Sequence, residues 1–223
     1  MRTVSSIVTP SGTPLPATGH MKYLGANLTP DGCMDHELNG KIAAAKRDFL
    51  AVRKVWSHSS LTHSGKLKVY AALIESKLLY GLGGACLTKI QLRRLDGFQN
   101  RCLRYILGVK PSFISRVSNA EVLSRAKHPS ASSLLLERQL HLFGKILRAA
   151  PSHPLRSASF AHGSLRPATD QYVRRLGRPA KEFIPDMISH VNRMFGSLDA
   201  AIAPARSKPF WKQAVREKIR QQL

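Results

Sequence analysis

The chain has 223 residues, enough for one ordinary domain or two small ones, and its 43% apolar content excludes wholesale disorder. Thirty-five Lys and Arg against 13 Asp and Glu give a formal net charge of +22, an excess that repels itself in a folded chain and calls for a polyanionic partner, with nucleic acid first. Three scattered cysteines, Cys33, Cys86 and Cys102, exclude a disulfide framework and point to a reducing compartment.

No apolar run approaches the ~18 residues of a membrane span, and the N-terminus lacks the apolar block of a signal peptide. The sequence therefore reads as soluble and intracellular, nuclear or cytoplasmic, with no membrane partner.

Residues 1–33 carry strand and turn signals. Val4–Val8 is a β-branched run, Thr9-Pro10-Ser11-Gly12 is turn chemistry, and Met21–Ala26 reads as a second strand closed by Pro30-Asp31-Gly32. A ribbon of so few strands must pack on helices or on another part of a larger protein.

From Asp35 to Ser57 the pattern becomes helical, with Leu38, Ile42, Ala45, Phe49, Val52 and Trp56 on one stripe. Thr62 or Ser64 is placed to cap a second helix through Leu67, Tyr70, Ala71, Ile74 and Leu78, which Gly81, Gly83 and Gly84 stop. Thr88 caps a third, which buries Leu92, Leu95, Phe98, Cys102, Leu103 and Ile106 and ends at Gly108. Short links make these an antiparallel three-helix bundle over 34–109.

A helical extension covers 110–149, with a short helix from Ser118 or Asn119 and a long one over Ser132–Ala149. Residues 150–178, with a single acid at Asp170, read as a basic linker. Residues 179–223 read as C-terminal helices. The fold class is thus mainly α, with a short N-terminal β-ribbon, an antiparallel helical bundle and further helices.

No chemistry-bearing constellation accompanies this frame. Cys33 and His36 have ligand-like spacing, but a structural zinc needs four ligands and only His58 and His63 follow nearby. The 13 acids are scattered, with only Asp35 and Glu37 two apart, whereas two-metal catalysis needs several carboxylates at one point. No catalytic residue, metal site or cofactor is implied. The cationic positions are the better candidates. Arg93, Arg94, Arg101 and Arg104 stand off the buried stripe of the third helix, and Arg174, Arg175 and Arg178 cluster in the basic linker. Tyr23, Trp56 and Tyr80 read as core or interface aromatics rather than base-stacking platforms.

An ordered series of short motifs then stands out. Lys22-Tyr23-Leu24-Gly25, Asp31-Gly32, Lys41-Ile42, Lys66-Leu67, Leu79-Tyr80-Gly81, Arg101-Cys102-Leu103-Arg104, Phe143-Gly144-Lys145 and Gly177-Arg178-Pro179 together resemble the segment after the palm of non-LTR (LINE-type) retrotransposon reverse transcriptases. The resemblance spans roughly residues 20–180. It implies that Tyr23, Leu24 and Gly25 form a primer-grip-like ribbon and that the bundle is a thumb closing on primer–template duplex. Lys22, Lys66 and the seven arginines just named would then be nucleic-acid contacts.

The family's Asp-Asp motif is absent, so the resemblance implies a fragment of an RNA-directed DNA polymerase with no catalysis of its own. Its partners would be an RNA–DNA or DNA duplex and the fingers and palm of a parent polymerase. The other reading is a domesticated or remnant helical module that docks on protein.

Overall fold

Two apolar cores share one helix. In the computed structural model, residues 10–12, 19, 21–23, 25–29, 33–168 and 182–221 are described. A two-stranded antiparallel hairpin, β1 (Met21–Tyr23) and β2 (Ala26–Leu28), precedes a mainly helical chain. The expectation of one strand over Met21–Ala26 is corrected here. Gly25 takes φ +81° and the chain reverses there, pairing Tyr23 with Ala26; an isolated glycine inside a strand pattern marked the bend. Val4–Val8, Leu24 and Asp31-Gly32 lie outside the described residues.

The hairpin packs on α1 (Asp35–Ala51). Buried Glu37 accepts from the Asn27 backbone N–H at 2.7 Å and sits 3.3 Å from Lys41 Nζ, which in turn donates to the Gly25 carbonyl at 3.0 Å. Lys41 also lies over the Tyr80 ring. The ribbon's need for a helical partner is met by one carboxylate and one ammonium.

The first core is an up–down–up bundle. After α1 the chain breaks at Val52, where α2 (Arg53–Ser57) begins. The descending element starts as α3 (His63–Val69), capped by Thr62, whose Oγ accepts from Gly65 N. It passes through a π-helical stretch, Tyr70–Glu75, and ends as α4 (Ser76–Leu78). The wider i→i+5 pitch sets Tyr70 and Glu75 one turn apart on the inward side, so both are buried.

Gly81, at φ +76°, ends this element. α5 (Lys89–Ile106) then rises beside α1, opened by a complete capping box between Thr88 and Gln91. Leu95, Phe98, Cys102, Leu103 and Ile106 are buried against Leu38, Phe49, Trp56 and Tyr70.

A single turn, α6 (Ser112–Ser115), and α7 (Asn119–Ala126) lead to α8 (Ala131–Arg148), the shared element. Its Ala131 and Leu135 belong to the first core; Leu140, Phe143 and Ile146 belong to the second. The second core is completed by α9 (Pro154–Ser157), α10 (Phe183–Phe195), α11 (Leu198–Ala205) and α12 (Lys208–Arg220).

Gly144 fixes its geometry. The Trp211 indole lies flat on α8 there, donating to the Leu140 carbonyl at 2.8 Å, and a Cβ on residue 144 would stand 2.2 Å from Trp211 Nε1. Part of the segment read as a linker is packed. Phe160 is buried in this core, pairs with Pro167 in a β-bridge, and carries Arg156 over its ring. Arg156 donates to the Leu147 carbonyl at 3.2 Å, closing the end of α8.

Candidate nucleic-acid interface

α5 is an amphipathic helix whose inner face fills the first core and whose outer face is open. Ile90, Arg93, Arg94, Arg101 and Tyr105 are exposed along it. Its two ends are fixed by the capping box and by Gly108 at φ +68°, so the outer face is a rigid platform.

The arginines on this helix are used in three ways. Arg94 donates to Asp35 Oδ1 at 3.0 Å and to Asn39 Oδ1, tying α5 to the start of α1. Arg101 is exposed and folds back along the helix, its Nε donating to the Gly97 carbonyl at 3.2 Å. Among the described residues, neither Arg93 nor Arg101 forms an ion pair.

Arg104 is different and corrects the expectation. Eleven residues beyond Arg93, it falls on the same outer face of the helical wheel, yet it is 7% exposed. The chain after Gly108 folds back over it. Its guanidinium donates to the Lys110 carbonyl (3.1 Å), the Val117 carbonyl (2.8 Å) and Asn119 Oδ1 (2.9 Å). This is an arginine holding the turn into α7, with its fork committed to two backbone carbonyls and the Asn119 side chain.

Lys66 is likewise buried, on α3 against the bundle. Lys22 is exposed on β1 beside exposed Tyr23, and Gly25 forms the bend. Arg174, Arg175 and Arg178 lie outside the described residues, as does Leu24. Of the aromatics, Trp56 is a core residue, Tyr23 is exposed, and Tyr80, also exposed, stands at the seam between hairpin and bundle, 3.3 Å from where a Cβ on Gly25 would lie.

The acids explain why the outer face stays cationic. Asp35 pairs with Arg94, Glu37 with Lys41, Asp48 with Lys77 and Glu121 with Arg125. Asp96, the one acid on α5, turns inward and accepts from Ser132 N at 2.8 Å. Gln99 accepts from Ala131 N at 2.6 Å and donates to the Pro129 carbonyl at 2.9 Å. Together with Ser130 Oγ on Ser133 N, these groups satisfy the first three N–H donors of α8. No acid stands between Asp96 and Glu121, a stretch that carries Arg101, Arg104, Lys110 and Arg116.

Beneath this face lies a buried polar seam that sequence patterning missed. His128 Nε2 is 3.2 Å from Glu75 Oε2, and His128 Nδ1 is 2.9 Å from the Pro129 carbonyl. Gln99 Nε2 lies 3.2 Å from the same Nδ1. Burial pushes the Glu75 carboxyl up from its ordinary value, opposed by His128 and Arg138. Burial also raises Tyr70 and pushes the Cys102 thiol up to about 12. Both ring nitrogens of His128 are engaged, so the pair is a structural seam between the descending element and the α7–α8 link.

A groove of about 630 Å³ opens over that link, between α7, α8 and α12; Leu123, Leu134 and Ile219 line it, with Lys127, Arg216 and Arg220 around them. Among the described residues no three His, Cys, Asp or Glu side chains converge on a metal-sized point, and no helix is long and apolar enough to cross a membrane. Compared with protein-family models, with curated proteins and with solved structures, the chain matches none.

Proposed function

We propose that this chain is a nucleic-acid-binding module that grips duplex backbone, RNA–DNA or DNA, along the outer face of α5. It corresponds in this reading to the thumb and following region of a LINE-type reverse transcriptase, with polymerase chemistry residing in a palm and not in these residues. The observation that carries the grip is the pairing pattern on α5. Arg93 and Arg101 face solvent with no acid against them, while the helix's own acid, Asp96, is committed to capping α8. Guanidinium groups in that state suit phosphate oxygens, which they contact without reading sequence. The link to the polymerase family rests on the ordered motifs of the sequence alone.

Filter binding or fluorescence anisotropy with a mixed-sequence duplex tests the grip across a salt series. The logarithm of affinity should fall linearly with the logarithm of salt, by about 0.9 for each phosphate contacted on B-form DNA. Arg93→Glu with Arg101→Glu should flatten that slope by roughly 0.9 per lost contact and leave the circular dichroism unchanged. A flat salt response in the wild type would refute the grip. Arg104→Glu is unsuited to this test, because it breaks the turn that Arg104 holds.

A further inference from the structure

Among the described residues, the most exposed large apolar side chain sits on a turn held by several hydrogen bonds. Phe113 is 76% exposed and its neighbour Ile114 is 55% exposed, both on α6 at the C-terminal end of α5. A turn free to relax would fold such a pair inward, since exposed apolar surface is unfavourable in water. This turn is held from beneath. The buried Arg104 fork grips the carbonyls on either side of it, Lys110 and Val117. Ser115 Oγ donates to the Lys110 carbonyl at 3.0 Å and accepts from Val117 N at 3.3 Å. Arg116 closes the turn in the left-handed region, φ 58°.

We propose that Phe113 is a stacking platform for an unpaired base at the edge of a duplex lying on α5. The inference rests on the backbone-grip reading above and adds a contact to a base. Charge selects the partner. Lys110 and Arg116 flank the tip and are exposed, and no acid stands between Asp96 and Glu121. A rigid aromatic face between two cations fits a polyanion that also presents flat π-faces, which describes single-stranded nucleic acid. Arg93 and the end of α5 are separated by roughly 20 Å at the ~1.5 Å rise of a helix. A duplex contacted at Arg93 and Arg101 therefore reaches the tip within about two-thirds of a helical turn.

The test uses the full chain and two DNA probes of equal duplex length, one blunt and one with a short single-stranded overhang carrying 2-aminopurine at its first unpaired position. The wild type should change the 2-aminopurine fluorescence and bind the overhang probe about tenfold tighter than the blunt one, the scale of one base–aromatic stack. Phe113→Ala should lose both effects and keep the salt slope, whereas Phe113→Trp should restore them. Phe113 is exposed, so thermal melting should not change in either variant.

Equal binding of both probes by the wild type, or a 2-aminopurine signal unchanged in Phe113→Ala, overturns the stacking platform and leaves the backbone grip standing. Failure to bind either probe refutes the grip and the platform together. Phe113-dependent binding to phosphatidylserine vesicles, with no probe preference, would assign the tip to a lipid surface and overturn the proposal.

Discussion

The two tryptophans sit in different cores, and each donates its indole N–H to a helix carbonyl at 2.8 Å, but over very different spans of chain. Trp56 reaches the Phe49 carbonyl seven residues away and stacks on the Phe49 ring with centroids 4.9 Å apart. Trp211 reaches the Leu140 carbonyl 71 residues away, stacks on Phe195 at 5.5 Å, and needs a glycine beneath it. The first contact forms as soon as α1 and α2 form. The second exists only once α8, α10 and α12 have assembled. Polar pairs tie both cores, Glu37–Lys41 and Glu75–His128 in the first and Glu137–Arg216 in the second; the second is in addition keyed by shape, one indole against one bare stretch of helix.

The sharpest way to break the comparison is at that key. Trp211→Ala should cost about 3–5 kcal/mol, the range for emptying a buried aromatic site. Gly144→Ala, which drives a methyl into the indole, should cost about 1–3 kcal/mol. In Trp211→Ala, where Trp56 is the one remaining tryptophan, fluorescence should report a first core that melts near its wild-type temperature while the second loosens. A uniform fall in melting temperature would make the two cores one cooperative unit.

Arg104→Met comes next. It leaves two carbonyls and the Asn119 amide oxygen without their donor, each charge-assisted hydrogen bond being worth roughly 1.5–3 kcal/mol. Limited proteolysis should then open the 108–118 segment before the rest of the chain. Resistance of that segment to cleavage would show that Ser115 alone holds the turn.

The smallest effects separate the cores by pH. Burial lowers His141, beside α12, below its ordinary 6.5; Glu137 opposes this, and Lys212, Arg216 and Arg148 reinforce it. A lowered histidine contributes stability that is present above the unfolded value and lost as pH falls from about 6.5. Glu75 in the first core has the opposite dependence. Its raised carboxyl contributes stability fully present below its ordinary 4.5 and lost as pH rises through the higher folded value. Melting followed in Trp56→Phe and Trp211→Phe variants should show the second core weakening on acidification through pH 6, a dependence that His141→Gln removes. The advantage of the wild type over Glu75→Gln should shrink as pH rises. The same pH slope in both cores would contradict the assignment.

What could be read from the sequence was local. The stripes of α1 and α5, the Thr88 N-cap and the Ser118 cap follow from residue types a few positions apart, and all are present. The misreadings share a different cause. Helical periodicity put Arg104 outside because it carries no record of the chain turning back after Gly108. Lys66 is buried by neighbours from other elements, and the π-helical pitch that brings Glu75 inward is not contained in an α-helical pattern. Gly144 was noticed only as part of a motif, and its physical reason, Trp211, lies 67 positions away. Of the four arginines proposed from this helix, exposure and freedom from acids single out Arg93 and Arg101.

The most direct measurement is amide hydrogen exchange of the full chain with and without a mixed-sequence duplex. The account predicts added protection along the outer face of α5 and in the α6 turn, strongest near Arg93, Arg101 and Phe113. Protection confined to the groove between α7, α8 and α12, or none on α5, would contradict it.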